Sequence, residues 1–85
     1  MSHFVYIIES LKDGTYYVGS TQNLSERLER HNQVRSTYTK VKKPWRLVFS
    51  EEHPDRSRAR IRENEIKSRK SKSYIETLVR ASRQP

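Results

Sequence analysis

Two short runs of strand-forming residues flank a tight-turn signal near the N-terminus, and this limits the chain more than any other feature. Phe4-Val5-Tyr6-Ile7-Ile8 is rich in β-branched and aromatic side chains and reads as a mostly buried strand. Lys12-Asp13-Gly14 follows, and Asp-Gly is a strong hairpin signal. Thr15 to Gly19 then reads as a second strand, antiparallel to the first. Period-two alternation puts Tyr16 and Val18 on one face and Tyr17 on the other.

The remaining elements follow from caps and periodicity. Asn23-Leu24-Ser25-Glu26 predicts a helix start with Asn23 as the N-cap. Leu24 and Leu28 are one turn apart and face the core, while Arg27 and His31 share another face. The helix ends near Asn32, and Gln33 to Pro44 reads as a polar, basic loop. Trp45 to Glu51 reads as a third strand, with Trp45, Leu47 and Phe49 alternating against Arg46, Val48 and Ser50. A basic helix is expected from about Ser57 to Arg69, capped by Asp55 or Ser57. Its least polar stripe is Ala59, Glu63 and Ile66. A last helix is expected from Ser73, with Ser73-x-x-Glu76 as a capping box and Tyr74 or Ile75, Leu78 and Val79 inward.

With 85 residues the chain makes one domain at most. Residues 1–80 are assigned to it, and 81–85 to a frayed C-terminal tail. Only 32% of residues are hydrophobic and 33% are charged, but the apolar ones come in ordered runs, so the chain reads as folded with basic surfaces. Eighteen Lys and Arg against ten Asp and Glu give a net charge of +8 and a pI near 10.1. That excess attracts polyanions and favours nucleic acid, with a ribosome-associated or merely soluble basic protein as the alternative. The absence of cysteine excludes disulfides, thiolate zinc sites and cysteine nucleophiles, and suits a reducing cytoplasm. No run approaches the ~18 apolar residues needed to cross a bilayer, and the first residues lack a signal-peptide pattern. His3, His31 and His53 are too scattered for a histidine-only metal site.

Glu63 is the residue out of character on the inward helical stripe. A hard divalent ion takes one or two carboxylates, keeps several waters and completes its shell with substrate oxygens, so a lone inward carboxylate can anchor it. The alternative is a salt bridge to Arg27 or Arg62. Glu65 lies off the stripe and faces solvent. Tyr6 and Tyr17 can lie side by side on one face of the hairpin, as reactive groups or as packing. Arg27 and His31 can bind phosphate and move a proton, or form a solvated surface.

The ordered set is more specific than any member. Phe4-Val5-Tyr6, then Tyr17-Val18-Gly19, Thr21, Arg27, His31 and Glu63 resemble the GIY-YIG nuclease family, with Phe4 replacing the first triplet's glycine. Tyr17-Val18-Gly19-Ser20-Thr21-x-Asn23-Leu24-x-x-Arg27-Leu28-x-x-His31 is similar to its most characteristic stretch. Trp45 to Phe49 and Arg62-Glu63-x-x-Ile66-Lys67 resemble later blocks. The likeness runs from about Phe4 to Val79. It is closest to short stand-alone bacterial members related to the excision-repair incision domain.

The resemblance implies an α+β fold, a three-stranded antiparallel sheet flanked by helices. It implies a metal-dependent DNA endonuclease, expected to act in repair or recombination; low sequence specificity is expected because phosphate contacts position DNA without reading its sequence. Tyr6 would be the base helped by His31, Tyr17 would orient water or phosphate, Arg27 would hold the scissile phosphate, and Glu63 would bind a single Mg2+ or Mn2+. Around this set, Arg35, Lys40, Lys42, Lys43, Arg58, Arg62, Lys67 and Lys70 are expected to guide DNA through its phosphates. Tyr38 or Trp45 could stack on a base but fit packing better. The rival readings are a non-catalytic nucleic-acid-binding module of the same fold, and a small basic protein docking on a larger repair complex.

Overall fold

The computed structural model of the protein describes residues 2–33 and 42–82. In chain order they form β1 (His3–Ser10), β2 (Tyr16–Thr21), α1 (Leu24–Asn32), β3 (Trp45–His53), α2 (Arg56–Ser68) and α3 (Lys72–Ser82). The strands make one antiparallel sheet in the order β2-β1-β3. This is the α+β architecture expected from the sequence. Arg35, Tyr38 and Lys40 lie outside the described residues.

The hairpin forms where the Asp-Gly signal places it. Gly14 sits at φ 77°, in the left-handed region that glycine enters without strain. The Ser10 hydroxyl oxygen accepts the amide protons of Lys12 and Asp13 and fixes the turn. The strand phase then sorts the side chains. Val5, Ile7 and Val18 pack with Ala59, Ile66 and Val79 under α2 and α3. Tyr6, Ile8 and Tyr17 pack with Leu24, Leu28 and Trp45 under α1. The sheet therefore has helices on both faces, and β1 is buried on both.

The third strand departs from strict alternation. Ile7 pairs with Phe49 and Ile8 with Leu47, so Val48 is an extra residue in a β-bulge. Trp45 and Leu47 face α1, whereas Val48 and Phe49 both pack toward α2 and α3. Phe49 thus does not share a face with Trp45, because the bulge shifts the phase by one residue.

The caps settle where the helices begin. The Asn23 side chain accepts the Glu26 amide proton, and Asp55, not Ser57, accepts that of Arg58. Lys70, at φ 48°, turns the chain out of α2. This moves the start of α3 ahead of the expected capping box. Ser71 rather than Ser73 takes the cap, its hydroxyl accepting the Tyr74 amide proton at 3.2 Å. Tyr74, Ile75 and Leu78 all pack inward beside Val79. The helix continues through Ala81 to Ser82, into the stretch the sequence assigns to the tail.

Candidate active site

The edge strand β2 brings chemistry from both faces of the sheet to one place. Tyr6 pairs with Gly19 and Ile8 with Tyr17, so the two tyrosines are diagonal neighbours on the α1 face. Their rings lie 6.4 Å apart. Ser20, next along β2, points the other way and donates its hydroxyl proton to Glu63 of α2 at 2.8 Å. Tyr6, Tyr17, Arg27 and Glu63 consequently line one cleft of about 890 Å³, together with Gly19, Ser20 and Arg60.

Gly19 is where the two faces communicate. A Cβ there would stand 2.5 Å from the Tyr6 phenol oxygen and 2.7 Å from the ring carbon that bears it. Only a residue without a side chain lets the Tyr6 hydroxyl reach across β2 at this point.

Behind Tyr6 sits His31. The Tyr6 hydroxyl and His31 Nε2 share a hydrogen bond of 2.9 Å, and both side chains are buried. The imidazole also packs 4.8 Å from the Tyr17 ring and 6.3 Å from the Trp45 ring, centroid to centroid. Trp45, 3% exposed, is a wall of this cluster and no platform for a base. Asn32 holds the wall in place, accepting the Trp45 amide proton and donating to its carbonyl.

Burial raises the Tyr6 hydroxyl to about 12, with the neighbouring Tyr17 adding to the rise and the Arg27 guanidinium opposing it. Burial, reinforced by the charges of Arg27 and Arg30, lowers His31 to about 4. Both groups are therefore uncharged at neutral pH. In the unfolded chain His31 takes up a proton near its ordinary value of 6.5, and in the folded chain only near 4. Between those values the unfolded chain binds more protons, so this contribution to stability is whole above about 6.5 and is lost as pH falls toward 4. Wild type should accordingly lose thermal midpoint between neutral pH and pH 5, and His31→Gln should flatten that part of the profile by about 2 kcal/mol. Parallel slopes in the two proteins would show that the imidazole does not titrate as described.

Glu63 lies on the inward stripe between Ala59 and Ile66, as its spacing predicts, and its side chain is 15% exposed. Its ion-pair partner is Lys67, at 2.6 Å, rather than Arg27 or Arg62. Burial pushes the carboxyl up, but hydrogen bonds from Lys67 and Ser20 pull it further down, so it is ionised. Its donor set fits a hard divalent ion: one carboxylate at the wall of a polar cleft, with room for water and substrate oxygens. The Lys67 ammonium, on a half-exposed side chain, is the group such an ion would displace.

The other basic residues divide. Arg58 and Lys43 are exposed, and Lys67 and Lys70 line a neighbouring cleft. Arg62 is engaged elsewhere: it bonds Glu51, Glu65 and the Tyr74 hydroxyl, tying α2 to β3 and α3. Lys42 is paired with Asp13 at 2.8 Å. Sequence reasoning missed Arg60 and Ser20. Arg60 carried a signal, because it lies three residues before Glu63 and shares its helical face. Ser20 carried none until the strand register was known.

The fold is that of the GIY-YIG nuclease family, and the chain belongs to it. The GIY-YIG catalytic domain model matches residues 2–76. Among relatives, the chain is 43% identical over 68 residues to UPF0213 proteins of Staphylococcus aureus strains Mu3 and N315, covering 79% of this chain and 82% of theirs. The solution NMR structure of a UPF0213 protein from Bacillus halodurans is also similar. It has a TM-score of 0.62 and 35% identity, covering 100% of this chain and 89% of that one.

Proposed function

We propose that the protein is a divalent-metal-dependent DNA endonuclease that hydrolyses phosphodiester bonds with low sequence specificity, in repair or recombination. The observation that carries this reading is the single cleft in which Tyr17, Arg27 and Glu63 meet, backed by the Tyr6–His31 pair. Glu63 is the residue that would hold Mg2+ or Mn2+. When bound, the ion would polarise the scissile phosphate and neutralise the charge it gains. Arg27 and Arg60, on opposite walls, supply positive charge to the phosphate oxygens.

The tyrosines have unequal access. Tyr6 borders the cleft but is 2% exposed and bonded to His31, so it acts from the buried edge of the cleft as a neutral phenol. Tyr17 is partly exposed on the cleft and is the tyrosine placed to meet the attacking water. This division favours Tyr17 for contact with water and Tyr6 for positioning.

The test is cleavage of labelled single-stranded, duplex and branched DNA with Mg2+ or Mn2+, against the same reactions with a chelator. Tyr17→Phe should slow cutting roughly 100-fold with little change in thermal midpoint. Tyr6→Phe should slow it less and lower stability by about 1 kcal/mol, since it strips His31 of a buried partner. Binding without cutting in every metal would leave a non-catalytic binding module as the function.

A further inference from the structure

A second cleft opens on the other side of Lys67, and its lining is unlike that of the first. It measures about 640 Å³ and lies between the hairpin turn, β2 and the α2–α3 junction. Its floor is apolar, with Val18 and Ile66 buried and Tyr16 and Ile75 partly exposed as walls. Its rim carries Lys67, Lys70 and Lys72. The one acid on the rim, Asp13, is paired with Lys42, which with Thr15 holds its carboxyl well below the usual range. Among the described residues neither Lys70 nor Lys72 has a carboxylate partner.

We infer that this cleft holds an unpaired nucleotide of the DNA strand, its base on the apolar floor and its phosphates on the three lysines. The inference deepens the nuclease reading and rests on it for the direction of the strand. Two observations support a nucleotide over another apolar ligand. The rim is cationic with its only acid neutralised, which complements a polyanion. The cleft also adjoins the candidate active site, since Tyr17 borders both and Lys67 on this rim pairs with Glu63 in the other. A strand whose scissile phosphate lies by Arg27 and Glu63 has its neighbouring nucleotide at Lys67. A base stacked within a duplex cannot enter an apolar recess without being unpaired first, at a cost that a single-stranded or extrahelical base avoids. The cleft therefore selects unpaired DNA at one side of the cut.

The test uses the whole chain in chelator, so that cleavage cannot interfere. Two-dimensional amide NMR spectra are followed on addition of a short single-stranded oligonucleotide that does not self-pair, or of the same oligonucleotide annealed to its full complement as a blunt-ended duplex. The single strand should shift the amides of residues 14–18 and 70–75, and the duplex should leave them nearly unmoved. Lys72→Glu should weaken single-strand binding roughly fivefold, while Arg80→Glu, an equal charge change on the same helix, should weaken it less than twofold. Silent cleft amides, equal shifts with the duplex, or equal losses in the two variants would each overturn the inference. Metal-dependent cutting is measured separately. Cleft shifts in a chain that cuts nothing would support the cleft and sink the nuclease reading, whereas cutting with silent cleft amides would do the reverse.

Discussion

Glu63→Gln should abolish metal-dependent cleavage, by roughly 1000-fold or more, and leave the fold standing. Glutamine keeps an oxygen to accept the Ser20 hydroxyl proton and fills the same space between Ala59 and Ile66. What it removes is the negative charge, and with it the proposed anchor for a hard cation. A lost metal contact to a transition state that gains charge is worth several kcal/mol, about 4 for a factor of 1000. Glu65→Gln is the control. Glu65 lies two residues along the same helix but is half exposed and pairs with Arg62, away from the cleft. It should cut like wild type. Titration of Mn2+ by electron paramagnetic resonance gives a second readout free of turnover: Glu63→Gln should bind no specific ion. Equal cutting by the Glu63 and Glu65 variants would remove Glu63 from the chemistry.

Gly19→Ala should be the most damaging single methyl group in the protein. The backbone there is not strained, so the effect is one of space alone. The added carbon would meet the phenol oxygen and its ring carbon at 2.5 and 2.7 Å, and Tyr6 is packed too tightly to yield. Overpacking of this kind costs about 2 kcal/mol. Displacing Tyr6 also stretches its 2.9 Å bond to His31 and shifts the wall of the cleft, so cutting should fall roughly 100-fold. The double variant Gly19→Ala/Tyr6→Phe separates the two effects. It removes the nearest atom, and so should regain part of the thermal midpoint, but it has no hydroxyl, so its cutting should recover no further than that of Tyr6→Phe alone. A Gly19→Ala protein with wild-type stability would mean that Tyr6 has room the packing does not show.

Much of this site was legible in the sequence, for reasons that differ by residue. Glu63 stood out because an acid interrupts an otherwise apolar helical stripe, and helical period is robust to small errors in boundary. Arg27 and His31 were linked by four-residue spacing, although spacing alone did not show that His31 is buried and Arg27 lines the cleft. Tyr6 and Tyr17 were placed on one face by strand parity, which a clean Asp-Gly hairpin preserves. Tertiary partners were beyond reach. Arg62 and Arg58 look alike in one dimension, yet Arg62 meets Glu51 on β3 and is committed to structure. Ser71 and Ser73 both offer a cap, and the left-handed turn at Lys70 decides between them. The importance of Gly19 depends on which residue stands opposite, a fact of register.

The bulge at Val48 was illegible for the same reason, and it shapes how the molecule comes apart. Trp45 and Leu47 close the half-core under α1, and one residue later Val48 and Phe49 close the other. Each half-core therefore depends on the same short stretch of backbone paired to Ile7 and Ile8. Loss of this stretch would open both half-cores, so the two layers are expected to unfold together as one cooperative unit. The proposed catalytic constellation, assembled from α1 on one layer and α2 on the other, would then be lost as a unit: its halves would come apart together.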